Sequence, residues 1–401
     1  MAEKRSVVKD ILSIYVPAFF IMTGLSVITP VLSIYARSFG VPYTLATLAV
    51  SMYAVGRLFA DLPSGMIGDR IGRRPLLLIG ALIVGVSAFL CANAGSFWEL
   101  VLYRLIGGVG SSMWQTMRIT MLQDILKPEE RGRILGYFQA FQLIGTSAGP
   151  TIGGVTAEYW GIRAPFLIYG VGSIICLVLS FILVPETHNA SSRKESHSKE
   201  AEFSWAIMKR LLAKNLTFFT ACIATFTTFL ERQGLRSTLI PLYADVVLKL
   251  GTADIGYAIS FATFTNLIVT IPFGHAMDRF GRKIVLVPSL ALLGITSLVF
   301  PYAGSFLQLA LACIVLGVGE GGTAQAPLTL ASDATMNEPH GVSMAVYRVF
   351  GDLGYIVGPI MVGVLSDLFG LSFPFYAVSA IIVVSTVLVQ VFAKEIYKRK
   401  N

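Results

Sequence analysis

Charged residues are scarce in this chain of 401 residues, in which Asp, Glu, Lys and Arg together make up 13%. Soluble domains usually carry about 25% of such residues, so a water-facing globule of this size would lack the polar surface that it needs. Apolar residues make up 55% of the chain, and its mean hydropathy is +0.72. The composition excludes a soluble enzyme, a nucleic-acid-binding protein, a disulfide-stapled secreted domain and a disordered chain, and it leaves a polytopic membrane protein.

Cysteine and histidine are rare as well. The sequence has four of each, and no CxxC or Cys/His spacing indicates a metal site or a disulfide. The histidines all fall on one predicted side of the membrane, so none is available as a proton carrier at mid-membrane. A phosphate-binding loop is also missing from the sequence. We therefore expect no cofactor and no metal.

Long, continuous apolar runs are what the sequence has instead. A helix needs about 20 residues to cross a hydrocarbon core of ~30 Å, and runs without alternation exclude a β-barrel. The first run is too long for a cleaved signal peptide. We predict twelve spans, numbered 1 to 12, near residues 11–36, 44–68, 75–94, 98–124, 133–158, 163–184, 214–244, 253–277, 284–303, 306–332, 341–367 and 371–393.

Basic residues are distributed unevenly between the loops. Of the 31 Lys and Arg residues, 22 lie on one side of the predicted spans, and three, Arg37, Arg163 and Lys249, lie on the other. Because basic loops stay in the cytoplasm, we expect both termini and the central linker to be cytoplasmic. The expected protein is a monomer in a bacterial or archaeal cytoplasmic membrane, with the lipid bilayer and a small-molecule substrate as partners and no nucleic acid.

The sequence repeats itself with an offset of 209 residues. Under that shift residues 94–97 (Ala-Gly-Ser-Phe) align with the identical residues 303–306, and Asp124 aligns with Asp333. Such a repeat indicates two six-helix halves in parallel orientation. The predicted fold class is an all-α membrane protein with twelve transmembrane helices in two pseudo-symmetric six-helix bundles. Its predicted parts are an N-terminal half at 1–184, a cytoplasmic linker with an interfacial helix at 185–213, and a C-terminal half at 214–401.

A charged, glycine-rich motif follows span 2 and recurs after span 8. It resembles the loop signature of the major facilitator superfamily, and its residues are Gly65, Asp69, Arg70, Gly72 and Arg73 and, in the second copy, Gly274, Asp278, Arg279, Gly281 and Arg282. The resemblance covers the whole chain and implies that these residues form a cytoplasmic gate. Asp124 and Asp333 are the expected acidic partners of the arginines. The alternative is that the charges only anchor the topology.

Two further motifs resemble those of the twelve-helix drug:proton antiporter branch of that superfamily. Residues 104–110 are similar to its span-4 motif, although Gly107 stands where Gln is usual, and the resemblance implies that Arg104 tunes a neighbouring carboxylate. Span 1 has no acidic residue, which excludes proton coupling there. The glycines of the span-5 motif recur on one helix face, which favours either bending between states or static close packing; the motif comprises Gly145, Gly149, Pro150, Gly153 and Gly154.

Charges within the spans indicate where function is located. Facing lipid, each would cost ~2.5–3.5 kcal/mol, so we expect the helices that hold them to enclose a cavity between the two halves, with spans 3, 6, 9 and 12 outside. Polar residues of span 4 recur on one helical face, and an aromatic side chain lies beside them. The predicted cavity residues are Arg104, Trp114, Gln115, Arg118, Arg232, Arg236, Asn266 and Arg348.

Four carboxylates within the spans are candidates for proton coupling. Glu320 has no basic neighbour in sequence, and a lone buried carboxylate can exchange a proton near neutral pH. Glu231 lies beside Arg232, with which it can pair unless a charged substrate displaces it. Asp61 and Asp352 each stand four residues after an arginine, so each is a candidate for an ion pair along its own helix.

Asp352 has a second feature, because Gly351 and Gly354 flank it and should leave it approachable. An ion pair and a functional role are both open for this residue.

Two transport functions are open on this sequence. The leading hypothesis, which follows the resemblance, is a secondary transporter that works by alternating access and exports amphipathic small molecules in exchange for protons. The alternative is proton-coupled or facilitated transport of an anionic metabolite or a lipid-like anion, because six arginines within the spans outnumber four acids. A third hypothesis, a sensor or scaffold without transport, predicts decay of the gate motif, and both copies are intact.

The predicted topology can be tested by cysteine labelling. In a variant without the four native cysteines, we expect Arg163→Cys to react with a membrane-impermeant maleimide in intact cells and Glu195→Cys to react only after permeabilisation. Equal labelling of both positions in intact cells would contradict a cytoplasmic linker.

Overall fold

The computed structural model describes residues 2–125, 128–184, 211–213, 215–336, 338 and 340–395. Within helices, the side chains of residues 2–12, 14, 62, 69, 123–125, 128–140, 340 and 341 fall outside the description. The predicted interfacial helix of the linker therefore lies outside the described residues except at 211–213.

All regular structure in the described ranges is helical, which confirms the predicted all-α class. In chain order the α-helices are α1 (Ala2–Val27), α2 (Leu32–Arg37), α3 (Tyr43–Ile71), α4 (Arg73–Ala92), α5 (Phe97–Ile125), α6 (Pro128–Trp160), α7 (Ala164–Leu183), α8 (Leu216–Leu230), α9 (Ile240–Val246), α10 (Thr252–Phe280), α11 (Arg282–Val299), α12 (Phe306–Thr323), α13 (Ala326–Ala334), α14 (His340–Phe369) and α15 (Phe373–Phe392). A π-helix, Glu231–Leu239, joins α8 to α9, and a 3-10 turn, Phe300–Tyr302, follows α11.

Each of the twelve predicted spans coincides with one of these helices or with consecutive helices. Eight described segments are by themselves long and apolar enough to cross a membrane. Three spans are interrupted. Span 1 is interrupted at residues 28–31, span 7 by the π-helix, and span 10 at residues 324–325. Several helices extend beyond their predicted ends; α3, for example, continues to Ile71 because the helix runs past the apolar stretch into its charged end.

The helix boundaries carry the 209-residue repeat. Shifting α3 by that offset gives the bounds of α10, and shifting α7 gives those of α15. Gly72 and Gly281, also 209 residues apart, are single-residue connections with φ of 99° and 106°. A residue with a Cβ would be strained there, so glycine at this point of the loop motif allows two helices to follow each other without a longer loop.

The chain divides into two compact units. Unit 1 comprises residues 1–194 and 251–260, and unit 2 comprises residues 195–250 and 261–401. In unit 1, α1 packs on α6 and α7, and α3 and α4 pack on α5. In unit 2, α8 and the π-helix pack on α14, and α11 packs on α12 and α15.

Glycines allow the closest helix contacts in unit 1. A Cβ on Gly145 would collide with Thr23, one on Gly149 with Ser26, and one on Gly153 with the Val27 carbonyl. The face predicted from the span-5 motif therefore packs against α1. The hydroxyl of Ser26 donates to the Thr146 carbonyl over 2.7 Å across the same contact.

Gly154 lies on a different face of α6 from the three glycines above. It contacts Thr252 and Gly256 in the part of α10 that belongs to unit 1. The Thr252 hydroxyl donates to the Gly154 carbonyl over 3.0 Å, and the Thr151 hydroxyl donates to Ser260 over 2.8 Å. The span-5 motif thus serves two helix contacts rather than one.

The glycines beside Asp352 also pack closely against a neighbouring helix. A Cβ on Gly351 would lie 3.2 Å from Thr225 and 3.3 Å from Phe229, and one on Gly354 would collide with the Phe226 carbonyl. These glycines let α14 approach α8. Asp352 between them is half-buried, and its accessibility to a substrate stays a prediction.

The α1–α6 contact predicts that a methyl group added at the contact lowers the stability of the protein. We expect Gly153→Ala to lower the free energy of unfolding by about 1–3 kcal/mol, because the added methyl group would overpack a helix contact. Thermal unfolding in detergent measures this. Gly274→Ala is the matched control, since a Cβ there would meet no atom within 4 Å; an equal loss in both variants would argue against the packing explanation.

Candidate functional site

A buried ion pair is the centre of the candidate site in unit 2. The Nη1 atom of Arg236 lies 2.6 Å from Oε2 of Glu320, and the Glu320 side chain is completely buried. Arg232 lies on the same carboxylate at a longer distance, with its Nε 3.9 Å from Oε1. The prediction that Glu320 is a lone carboxylate was therefore wrong, because its partners stand 84 and 88 residues earlier in the chain.

An amide completes the environment of the Glu320 carboxylate. The Asn266 Nδ2 group donates to Oε2 over 3.1 Å, so this oxygen accepts two hydrogen bonds. The hydroxyl of Thr270 lies 3.0 Å from Oδ1 of Asn266 and 2.7 Å from its backbone carbonyl. Asn266 was predicted as a cavity residue, and in the structure it is 5% exposed and contacts the ion pair.

Glu231 has a different environment from that of Glu320. Its side chain is also completely buried, and neither carboxylate oxygen has a hydrogen-bond partner among the described residues. The predicted pair with Arg232 does not form, since Arg232 reaches towards Glu320 and donates to its backbone carbonyl over 3.4 Å. Glu231 remains within the electrostatic reach of Glu320, Arg236 and Arg232.

The winding of the chain explains why these groups meet. In a π-helix the backbone hydrogen bonds join residues five apart rather than four, which brings Arg236 nearer to the face of Glu231 than α-helical winding would. In an ordinary α-helix Leu235 would be the nearer residue on that face. π-Helical segments are rare and often occur at functional sites. On the other side of the pair, α12 ends three residues after Glu320, where residues 324–325 separate it from Pro327 near the start of α13.

Unit 1 has a smaller polar contact at the equivalent place. The hydroxyl of Ser112 in α5 donates to Oδ1 of Asp61 in α3. Asp61 aligns with Thr270 under the 209-residue shift, and Ser112 aligns with the residue after Glu320. Sequence reasoning selected Asp61 but missed Ser112. The available signal was its position on α5, one residue after the polar stripe that contains Ser111.

The predicted cavity residues of span 4 are largely buried in unit 1. Arg104 donates from Nε to the Ala49 carbonyl over 3.3 Å, and its guanidinium lies 4.4 Å from the centre of the Tyr53 ring. No salt bridge joins Arg104 to an acidic group among the described side chains. The expectation that Arg104 tunes a neighbouring carboxylate is therefore not met in this conformation.

Trp114 is a core residue of unit 1 rather than a cavity-lining one. It is 1% exposed, and the guanidinium of Arg118 lies 4.5 Å from the centre of its ring. Arg118 is itself 5% exposed. Gln115, one turn after Ser111, is half-buried and donates to the Ser111 hydroxyl over 3.0 Å. On α14, Arg348 is exposed and Asp352 half-buried, and a role for either stays a prediction.

The second copy of the loop motif forms a charge cluster in unit 2. Arg282 contacts Asp278 over 2.8 Å and Asp333 over 3.3 Å. It also donates to the Met277 carbonyl over 2.8 Å. The structure thus brings Asp333 together with one of its two predicted partners, while Arg279 lies over the Phe280 ring at 5.2 Å.

The first copy of the motif is described only in part, because the side chains of Asp69 and Asp124 lie outside the described residues. Arg70 is exposed and Arg73 half-buried. Gly65 resembles Gly274 in having open space where a Cβ would lie, so packing does not require glycine at either position in this conformation.

A contact that sequence reasoning missed joins the loop motif to the end of α15. The Lys283 backbone N–H donates to Glu395 over 2.9 Å, and its Nζ group donates to the Gln390 and Ala393 carbonyls over 2.6 and 3.0 Å. A lysine at a helix C-terminus satisfies carbonyls that have no partner within the helix. The basic residue two positions after Gly281 was a signal of such a cap, although its partner could not be read from the sequence.

Two units with matching helix boundaries, and charge buried in their apolar helices, define a multi-pass integral membrane transporter rather than an enzyme. The family model of the Major Facilitator Superfamily matches residues 14–264 and 221–400. The chain belongs to this superfamily, as its motifs predicted.

Relatives agree with this assignment. An uncharacterized MFS-type transporter of Methanocaldococcus jannaschii is 22% identical over 379 residues, which cover 94% of this chain and 96% of the relative. The quinolone resistance protein NorA of Staphylococcus aureus is 24% identical over 363 residues, 90% of each chain. The crystal structure of the human organic anion transporter MFSD10 (TETRAN) shares the fold, with a TM-score of 0.67 and 16% identity over 96% of this chain and 99% of that one.

The ion pair predicts a characteristic double-mutant cycle. Arg236→Met and Glu320→Gln should each lower the free energy of unfolding by roughly 3–5 kcal/mol, because each leaves the other buried group without its partner. The double variant should be more stable than either single variant, as measured by thermal unfolding in detergent. Asp278→Asn is the control, since Asp278 is 71% exposed and its loss should cost less than about 1 kcal/mol. Additive losses would exclude a direct interaction.

Proposed function

We propose that this transporter exports amphipathic small molecules in exchange for protons, as a multidrug-type antiporter that works by alternating access. The observation that carries the proposal is the pair of buried carboxylates, Glu231 and Glu320, beside two arginines in the spanning helices of unit 2. The likeness to the quinolone resistance protein NorA over 90% of both chains supports the substrate class.

Proton binding at this cluster can be coupled to conformation by electrostatics. With both carboxylates ionised, Glu231, Glu320, Arg232 and Arg236 balance to zero charge; binding one proton leaves the cluster with one positive charge. Charges interact far more strongly away from water than in it, so the two protonation states favour different arrangements of the helices. A pH gradient then biases the equilibrium between them, in proportion to the difference in proton affinity.

The remaining candidates have supporting roles in this proposal. The two copies of the loop motif, which contain Arg73 and Arg282, would close the cytoplasmic side, with Asp124 and Asp333 as acidic partners. Asp61 and Asp352 are secondary proton sites. The two six-helix halves at 1–184 and 214–401 would move about the substrate, with the linker and both termini in the cytoplasm of a bacterial or archaeal cell, and the protein would act as a monomer.

Transport of an anionic metabolite or a lipid-like anion is the second candidate. Two arginines of unit 1, Arg104 and Arg118, are each 5% exposed, and they give the spanning helices of that unit a positive interior. The fold relative MFSD10 is an organic anion transporter. An anion would be recognised by these guanidinium groups, whereas a cation would be repelled by them.

Transport by the purified full chain in proteoliposomes tests the proposal. A pH step should drive movement of ethidium, an amphipathic cation, and should not drive a sulfonated anionic dye. Glu231→Gln should abolish the pH-driven movement while leaving ethidium counterflow without a gradient. Glu99→Gln, which changes an exposed carboxylate in the first turn of α5, is the matched control. Movement of the anionic dye alone would favour the second candidate, and no effect of the pH step on either dye would reject proton coupling.

A further inference from the structure

We infer that Asn266 is a positioning residue that holds Glu320 ionised against Arg236 and thereby leaves Glu231 as the carboxyl group that exchanges the proton. That the proton is exchanged during transport rests on the proposed function. The inference adds that Glu231 and Glu320, which are both candidates for proton coupling, have different roles. Three observations carry it.

The first observation is the saturation of one carboxylate oxygen. Oε2 of Glu320 accepts from the Arg236 guanidinium at 2.6 Å and from the Asn266 amide at 3.1 Å. Both donors favour the ionised carboxylate, and hydrogen bonds that involve a charged group are about twice as strong as neutral ones. Oε1 accepts no hydrogen bond among the described residues and has the Arg232 Nε atom 3.9 Å away. A proton added there would leave both contacts in place but remove the charge that strengthens them, so Glu320 is the fixed anion of the cluster.

The second observation concerns the direction of the Asn266 amide. Its Oδ1 atom lies 3.0 Å from the Thr270 hydroxyl, whose one hydrogen also faces the Asn266 backbone carbonyl at 2.7 Å. An amide oxygen turned towards Glu320 would place two acceptors against each other. The Glu320 carboxylate therefore keeps Nδ2 towards itself, and Oδ1 faces Thr270, one helical turn away on α10.

The third observation is that the Glu231 carboxyl group accepts no hydrogen bond within the described part of the chain. Neither of its buried oxygens has a hydrogen-bond partner among the described residues. A buried carboxylate that is ionised but accepts no hydrogen bond is costly, and a neutral acid avoids most of that cost. The ionisable groups around Glu231 are Arg232 and Arg236 on its own π-helix, Glu320 and Cys313 on α12, and Tyr347 of α14 beyond Arg232. Glu231 therefore holds the proton in this conformation.

Infrared spectroscopy of the purified full chain tests the proton assignment without any transport. The wild-type protein should show the carbonyl stretch of a buried protonated carboxyl group near neutral pH. Glu231→Gln should remove this band, and Glu320→Asp, which keeps the anion beside the two arginines, should leave it unchanged. The opposite pattern would overturn the assignment. Because the spectra do not depend on substrate, a protein with this pattern but without pH-driven transport would refute the proposed function and leave the assignment of the proton intact.

The positioning role of Asn266 has its own test. In Asn266→Ala, Glu320 loses a donor, so a second protonated-carboxyl band should emerge on acidification and the pH profile of ethidium transport should change from one step to two. We expect pH-driven transport to fall by about tenfold, the size expected for one lost hydrogen bond to a charged group. Thr296→Ala is the matched control, because its buried hydroxyl bonds only within its own helix, to Leu292.

A rescue experiment separates positioning from a purely structural role. Glu320→Gln should abolish pH-driven transport, and adding Asn266→Asp should restore most of it, because the carboxylate then stands on α10 beside the same Arg236 guanidinium. Thermal unfolding in detergent shows which variants fold. The inference would be overturned by a folded double variant that is as inactive as Glu320→Gln. It would also be overturned by an Asn266→Ala protein with the wild-type bands and pH profile. If the double variant does not fold, the Asn266→Ala result decides.

Discussion

The pairing of Glu320 with Arg236 is the contact on which the candidate site depends. Removing a charged group from water costs several kcal/mol, and an ion pair offsets this only with good geometry and further hydrogen bonds. Here the distance is 2.6 Å, and Asn266 supplies the additional donor. Two irregular segments of unit 2 adjoin this pair: the π-helix carries Arg236, and the helix break at 324–325 follows Glu320. Local departures from regular winding thus occur where charge must be satisfied inside the spanning helices.

The internal repeat explains how one protein can have both a regular scaffold and an irregular site. Helix boundaries recur at 209 residues, yet α5 of unit 1 is continuous where unit 2 has α12 and α13. Both units keep a polar contact between equivalent helices. In unit 1 the carboxylate, Asp61, is on the first helix and the donor, Ser112, on the second; in unit 2 the carboxylate is Glu320 and the donor is Asn266. The repeat preserves the place of the contact while its chemistry differs.

Small residues contribute to this architecture in two separate ways. Between helices of lipid-embedded proteins, close packing replaces the hydrophobic effect as the main source of association, and Gly153 and Gly354 each lie against a neighbouring carbonyl group. Gly72 and Gly281 instead supply a backbone conformation that other residues adopt only with strain. Gly65 and Gly274 have neither constraint in this conformation. The spacing of glycines in a motif therefore does not by itself tell which of them pack.

Much of the architecture could be predicted from the sequence, since the span positions, the repeat and the superfamily follow from hydropathy and motif spacing, which are local properties of the chain. The pairings could not. Glu320 contacts a residue 84 positions away, and Trp114 is buried in the core. Asp352 stands between glycines that pack on α8. These contacts depend on the rotation of each helix about its axis, which is set by the neighbouring helices. Nor does hydropathy distinguish π from α winding. Only the folded structure decides which buried charges neutralise each other, since that depends on distances between helices that the order of residues does not contain.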